Sequence, residues 1–470
     1  MAETSPAEEP VQPEAEELAP SDGASASSPR GRGRRLRRGA LLLVVLLAGV
    51  GVLAASSVVG YRIPTGSMAP TLLGDHFQVA CASCGGVYLV GRRSIELGPN
   101  APSALDLNSE CPLCSYAQQT TMSRSDVIAG TQVGVNRYAY LVGDPRHFEK
   151  VAYRQPGQGN RTYLHRVVGL PGDTLRIQNG DLFLVEGGVA AHLRPSDEEQ
   201  DALWCLLHDG ALPARNHAGP WWTPEVSGST TWSVLPSDPE HDAAKLECTP
   251  ADATPDWLRY EGELDTRLSF NRSDPMSPRP EPTADLRVRV RASGESGAEV
   301  QLAIRETYSE GGRQTRVVSA SFPIGTGRGR FAVLVDGEEQ TRCEAERLAP
   351  GRVHDLTFAY ANDRLRVFAR DQLLLTWEDV SGPSETLRGE VLLAVAHKQA
   401  SFERPRIERD ALHYVRGSGY SKTDPSAQDL TIPPGAFFLL GDNSANSLDS
   451  RTLGFVPREN LVGPVVYTFR

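Results

Sequence analysis

The sequence predicts a mainly β protein with one N-terminal transmembrane helix, on three observations. Short alternating apolar segments recur through much of the 470 residues, set apart by Asp-Gly, Asn-Asp and Gly-rich turn signals. One stretch, residues 39–60, stays uncharged and apolar for 22 positions, and nothing later approaches that length. Two C-x-x-C pairs, Cys81/Cys84 and Cys111/Cys114, flank a Gly-rich segment with strand character. A hydrophobic content of 40% with 23% charged residues supports two or three domains with their own cores. A net charge of −11 argues against a nucleic-acid partner, because phosphate binding needs clustered cations and the one dense cluster lies in the N-terminal tail.

Residues 1–38 read as a disordered cytoplasmic tail. Glu3, Glu8, Glu9, Glu14, Glu16, Glu17 and Asp22 stand among Pro, Ala and Ser with almost nothing large and apolar to bury. Arg30, Arg32, Arg34, Arg35, Arg37 and Arg38 then abut the apolar run. At about 1.5 Å per residue, residues 39–60 can cross a hydrocarbon core of about 30 Å, and the arginines hold the preceding tail on the cytoplasmic side. A cleaved leader would carry a shorter apolar region. The expectation is a single-pass protein of the cytoplasmic membrane, its lipid bilayer contact confined to that span and everything after Tyr61 outside.

Residues 61–80 form the first piece of a main domain, and residues 81–125 interrupt it. Two C-x-x-C knuckles suit tetrahedral zinc, because each tight turn aims two thiolates at one centre and four complete the shell. Cys81, Cys84, Cys111 and Cys114 are therefore the metal candidates of a zinc-ribbon-like insertion. The 26 residues between the pairs exceed the usual spacing, and an oxidising exterior keeps two disulfides, or redox dithiols, open as alternatives. Cys205, Cys248 and Cys343 carry no readable motif. The main domain resumes over 126–190, gives way to an insertion over 191–410, and finishes over 411–470. Within the insertion, Leu286/Val288/Val290 alternate with arginines, Phe331–Val335 precedes Asp336-Gly337, and Leu356–Tyr360 and Leu365–Phe368 flank Asn362-Asp363. With Val391–Val395 these strands predict an antiparallel sandwich, similar to concanavalin-like or laminin-G-like jelly rolls. Its partner would be a glycan or an envelope protein, or it would serve as a spacer, since fold does not fix ligand.

Three motifs carry chemistry. Pro64-Thr65-Gly66-Ser67-Met68-Ala69-Pro70-Thr71-Leu72 puts a serine in a glycine- and proline-shaped turn just beyond the apolar run. Tyr163-Leu164-His165-Arg166-Val167-Val168-Gly169-Leu170-Pro171-Gly172-Asp173 and Gly441-Asp442-Asn443-Ser444-Ala445-Asn446-Ser447-Leu448-Asp449-Ser450-Arg451 follow in order. Together they resemble the nucleophile, general-base and closing boxes of the type I signal peptidases, the bacterial leader peptidases. The resemblance implies an antiparallel β catalytic domain and a serine endopeptidase that removes signal peptides from secreted preproteins, with no cofactor for the chemistry.

By that resemblance Ser67 is the nucleophile, and the Ser67 amide with the Thr65 hydroxyl is the oxyanion site. The family's usual base is a lysine before the Arg-Val of the second box. Here that position is His165, as in the endoplasmic-reticulum and archaeal relatives; Lys150, upstream, is the alternative base. A histidine is already mostly neutral at pH 7, so an unperturbed one would lose activity only around pH 6 to 7. Asp449 or Ser447 is expected to orient its ring. Arg166, Asp442 and Arg451 are expected to form ion pairs between the boxes, and Met68 to line a substrate pocket. The rival class is a catalytically silent, membrane-tethered binding protein that works through the sandwich. Because the boxes all lie outside the insertion, deleting residues 200–405 is expected to leave some peptide cleavage.

Overall fold

The computed structural model describes residues 57–92, 103–155, 161–212, 221–226, 231–235, 245–266, 268–271, 281–309, 312–379, 386–411 and 428–469, and of the earlier positions only Val44. From Ser57 on, the described residues are mainly β-strand and belong to one packed unit.

A seven-stranded antiparallel sheet carries two of the three boxes. Its order is Val58–Arg62, Gln132–Asn136, Leu461–Phe469, Lys150–Arg154, Thr162–Gly169, Ala436–Leu440 and Val456–Pro457. The Ala436–Leu440 strand, AFFLL, is buried at every position, as is the second half of Thr162–Gly169, because both sheet faces are covered there. Alternate residues serve opposite faces: Val151, Tyr153, Val167, Phe437 and Leu439 fill one cluster, while Val168, Phe438 and Leu440 join another. A four-stranded sheet of Val189–His192, Asp181–Glu186, Thr174–Gln178 and Leu430–Thr431 feeds Leu175, Ile177 and Leu182 into that second cluster.

The expected membrane span lies almost wholly outside the described residues, and among the described residues no helix is long and apolar enough to cross a membrane. Its last residues are corrected. Val58, Val59 and Gly60 are not helical but start the strand paired with Asn136, Val135 and Gly134. Two β-branched residues with half-buried side chains fit an edge strand better than the end of a helix.

The insertion folds as two facing sheets. One runs Trp232–Leu235, Lys245–Cys248, Ala400–Asp410, Leu286–Gly294, His354–Ala361, Arg364–Ala369 and Gln372–Glu378, with Trp204–Asp209 also on Ala400–Asp410. The other runs Trp222–Pro224, Asp256–Tyr260, Thr386–Ala396, Glu299–Ser309, Arg313–Pro323, Arg328–Val335 and Glu338–Glu346. Leu286, Val288 and Val290 from the first meet Val300, Leu302 and Val391 from the second in one core. The turn signals do as their chemistry predicts: Asp336-Gly337 and Asn362-Asp363 all take positive φ, between 50° and 82°.

The insertion is not a free appendage. Leu203 and Cys205 join Val168 and Phe438 in the core of the main domain, and Leu206 and Leu212 pack against the ribbon. That ribbon consists of two hairpins, His76–Ala80 with Val87–Gly91 and Ala104–Glu110 with Ala117–Ser123.

Candidate active site

Box two lies on the Thr162–Gly169 strand, box three follows the neighbouring Ala436–Leu440 strand, and box one is a turn that docks on both. The turn closes on itself through Ala69 N donating to Gly66 O at 3.1 Å and Leu72 N to Met68 O at 2.9 Å. Box three then grips it: Asn443 N donates to Ser67 O at 3.0 Å and Asn443 Nδ2 to Gly66 O at 2.8 Å. Gly441 sits in the seam. A Cβ there would fall 2.2 Å from Ser447 Oγ and 2.5 Å from Ser67 O, so no larger residue lets the two boxes close.

Arg166 and Asp442 form a buried bidentate pair, Nε to Oδ1 at 2.8 Å and Nη2 to Oδ2 at 2.7 Å, which locks box two to box three. Thr71 Oγ1 also donates to Asp442 Oδ2, so all three boxes converge on one carboxylate. Within box three the Arg451 guanidinium holds Asp449 at 2.9 and 2.8 Å and Ser444 Oγ at 2.7 Å.

His165 is 1% exposed. Its Nδ1 lies 2.8 Å from Tyr153 Oη and its Nε2 3.4 Å from Ser447 Oγ. Ser447 thus stands at the ring as anticipated. Asp449 does not: its oxygens are taken by Arg451 and by the Gly441 amide, and it reaches His165 only through its charge. The ring partner missed by sequence reasoning is Tyr153, on the adjacent strand in register with Tyr163. Its one sequence signal is its place two residues beyond Val151, which faces His165. Burial pushes His165 down to about 4, against the charges of Asp449 and Asp442, which raise it. Burial likewise holds the Tyr153 hydroxyl well above its ordinary range, so it stays neutral.

Ser67 is half-buried, and among the described residues its side chain and amide make no hydrogen bond, leaving both for a bound molecule. Thr65 is exposed. Met68, expected in a substrate pocket, has no exposed surface. It packs with Ile63, Leu72, Val133, Val135 and Ala152, because the turn that presents Ser67 directs its neighbour into the core. Lys150 is opposite Arg166 in the strand register, so it projects from the sheet face away from His165, and burial lowers its pKa.

In the ribbon the Sγ atoms of Cys81, Cys84, Cys111 and Cys114 all lie within 4.8 Å of one another. Cys81–Cys114 at 3.5 Å and Cys84–Cys111 at 3.8 Å are far longer than a disulfide bond, and close to the roughly 3.8 Å edge of a tetrahedron with Zn–S of about 2.3 Å. The knuckles repeat one geometry: Gly85 N donates to Cys81 O and Ser115 N to Cys111 O, with Gly85 and Ser115 both at positive φ. In the sandwich, Arg287, Arg289 and Arg406 line a groove and share the Glu408 carboxylate, and Arg287 also pairs with Asp201.

The family model described as "Signal peptidase, peptidase S26" matches residues 112–225 and 390–469. Signal peptidase I of Buchnera aphidicola subsp. Baizongia pistaciae is 58% identical over 66 residues, 14% of this chain and 19% of that protein. Signal peptidase I of Pseudomonas aeruginosa is 32% identical over 81 residues, 15% of this chain and 28% of that one. The chain thus spans well under a third of the length of these relatives. Among solved structures, the carbohydrate binding module CBM66 from Bacillus subtilis is 12% identical, covering 41% of this chain and 97% of that one, at a TM-score of 0.25. The catalytic domain of an endo-1,3-beta-glucanase from Thermotoga petrophila is 11% identical, covering 44% and 98%, at 0.29. Overlaps this slight say nothing about a ligand. With its boxes and these partial matches together, the chain is similar to the type I signal peptidases.

Proposed function

We propose that the protein is a membrane-anchored serine endopeptidase that removes signal peptides from exported preproteins at the outer face of the cytoplasmic membrane. The observation that carries this reading is the convergence of the three boxes: the Ser67 turn is tied to Asn443, and Ser447 of the same box stands at His165 Nε2. Ser67 Oγ attacks the scissile carbonyl and passes its proton to His165 Nε2. That requires the tautomer in which Nδ1–H donates to Tyr153 Oη. The unengaged Ser67 amide, with the Thr65 hydroxyl, receives the oxyanion. His165 then returns the proton to the leaving amine, and water repeats the sequence on the acyl-serine. In Ser67→Ala, cleavage of a preprotein should vanish while the folded unit persists; retained turnover would end the serine mechanism.

The ribbon cysteines fit a structural zinc, four thiolates closing the shell with no open position for catalysis. About one zinc per chain is expected in metal analysis, lost in Cys84→Ser or Cys111→Ser. Metal-free protein with no reactive thiols at these positions would favour disulfides instead.

A further inference from the structure

Beyond the Asp256–Tyr260 strand the insertion sends one segment out of the sandwich and onto the nucleophile turn. Leu264 is still in the sandwich core, Leu268 packs on the cluster around Phe438, and Phe270 is 5% exposed. Phe270 lies on Gly66: a Cβ there would meet two carbons of its ring at 2.4 and 2.8 Å, and Gly66 is not in the left-handed region. It is therefore the ring, rather than the backbone, that demands glycine beside Ser67. The ring also lies against Gly91, whose amide donates to Phe270 O at 2.9 Å.

Asn271 completes the contact. Its amide pairs reciprocally with that of Asn443, Nδ2 to Oδ1 at 2.7 Å in both directions, and its Oδ1 also accepts from Asn446 Nδ2 at 3.3 Å. Asn443 is the residue that holds the carbonyls of Gly66 and Ser67. A chain of hydrogen bonds thus runs from the insertion through box three to the two residues around the nucleophile.

We propose that Phe270 and Asn271 are positioning residues for Ser67, so that the insertion is part of the catalytic unit. This rests on the peptidase reading above. A serine misplaced by about 1 Å costs on the order of a hundredfold in rate, and the two residues act on its turn through Gly66 and through Asn443. Neither touches the reacting atoms.

The test uses the full chain in detergent and a peptide with Ala-Xaa-Ala before the cut, the small-residue pattern of signal-peptide cleavage sites. Phe270→Ala and Asn271→Ala should each lower kcat by roughly 10- to 100-fold with KM within about twofold, Phe270→Ala with a lowered melting temperature from the emptied position and Asn271→Ala with a nearly unchanged one. Asn271→Asp keeps volume and acceptor but loses the donor to Asn443, and should show a smaller loss of the same kind even if the alanine variant folds poorly. Gly66→Ala should be damaging alone, yet cost little further in a Phe270→Ala background, a non-additivity that a remote packing defect would not produce. Wild-type kcat in Phe270→Ala and Asn271→Asp, or additive effects of Gly66→Ala and Phe270→Ala, would overturn the positioning role while leaving the peptidase intact. Wild-type protein without Ser67-dependent cleavage would overturn both.

Discussion

His165 and Ser67 both contact box three but lean on different parts of the chain. His165 stands in the middle of the seven-stranded sheet, fixed by its own strand, by Tyr153 on the next and by Ser447 of box three. Ser67 stands on a turn whose carbonyls are held by box three and whose outer face is covered by Phe270 of the insertion. The surroundings of His165 are therefore built from the seven-stranded sheet and box three, whereas the Ser67 turn also uses a segment of the insertion. Divided support of this kind predicts that damage to the insertion strikes the serine first and the histidine last.

The largest break comes from removing residues 200–405. The boxes survive in sequence, but Phe270 and Asn271 leave the turn, and Leu203 and Cys205 leave the core around Phe438. Cleavage of a peptide should fall below about a thousandth of wild type, with lower stability in a thermal melt. This reverses what the position of the boxes alone suggests; retained cleavage would show the turn to be self-sufficient. Next is Arg166→Ala, which strands the buried Asp442 carboxylate and should destabilise the unit by about 3–5 kcal/mol, read by chemical denaturation. A change within about 1 kcal/mol would mean that water reaches Asp442.

The base side is sharpened by pH. With His165 pushed down to about 4, the acidic limb of kcat/KM should lie near pH 4 rather than 6 to 7, with nearly full activity at pH 5.5. A limb at 6 to 7 would mean a wetter ring. The sign for stability follows: the folded imidazole releases its proton more readily than the unfolded one near 6.5. Stability is thus complete above about 6.5 and is lost as pH falls toward 4, on the order of 3 kcal/mol from this group. The smallest effect is expected of Tyr153→Phe, about a tenfold loss of kcat with KM unchanged, because the Nδ1–H that fixes the tautomer loses its acceptor. An unchanged kcat would assign the orienting role elsewhere.

Much of this molecule was legible because its signals are local. The turn dipeptides at 336–337 and 362–363 fix hairpins by their own backbone preferences, and Arg166 and Asp442 announce a pair by charge within compact motifs. What stayed hidden depends on registers and contacts between distant segments. Tyr153 meets His165 only through strand pairing, and the same register sends Lys150 to the other face. Asp449 could serve Arg451 or His165 from the same position, and only the fold decides for Arg451. The depressed pKa of His165 follows from burial, which the box itself does not encode. Phe270 and Asn271 lie in no motif at all.

The Leu461–Phe469 strand lies between Gln132–Asn136 and Lys150–Arg154, so the sheet stays split until some 300 further residues have left the ribosome. Box three likewise emerges only after the whole insertion. A nascent chain therefore carries Ser67 and His165 long before box three can draw them together, so on the peptidase reading proposed above it has no assembled site until its synthesis is nearly finished.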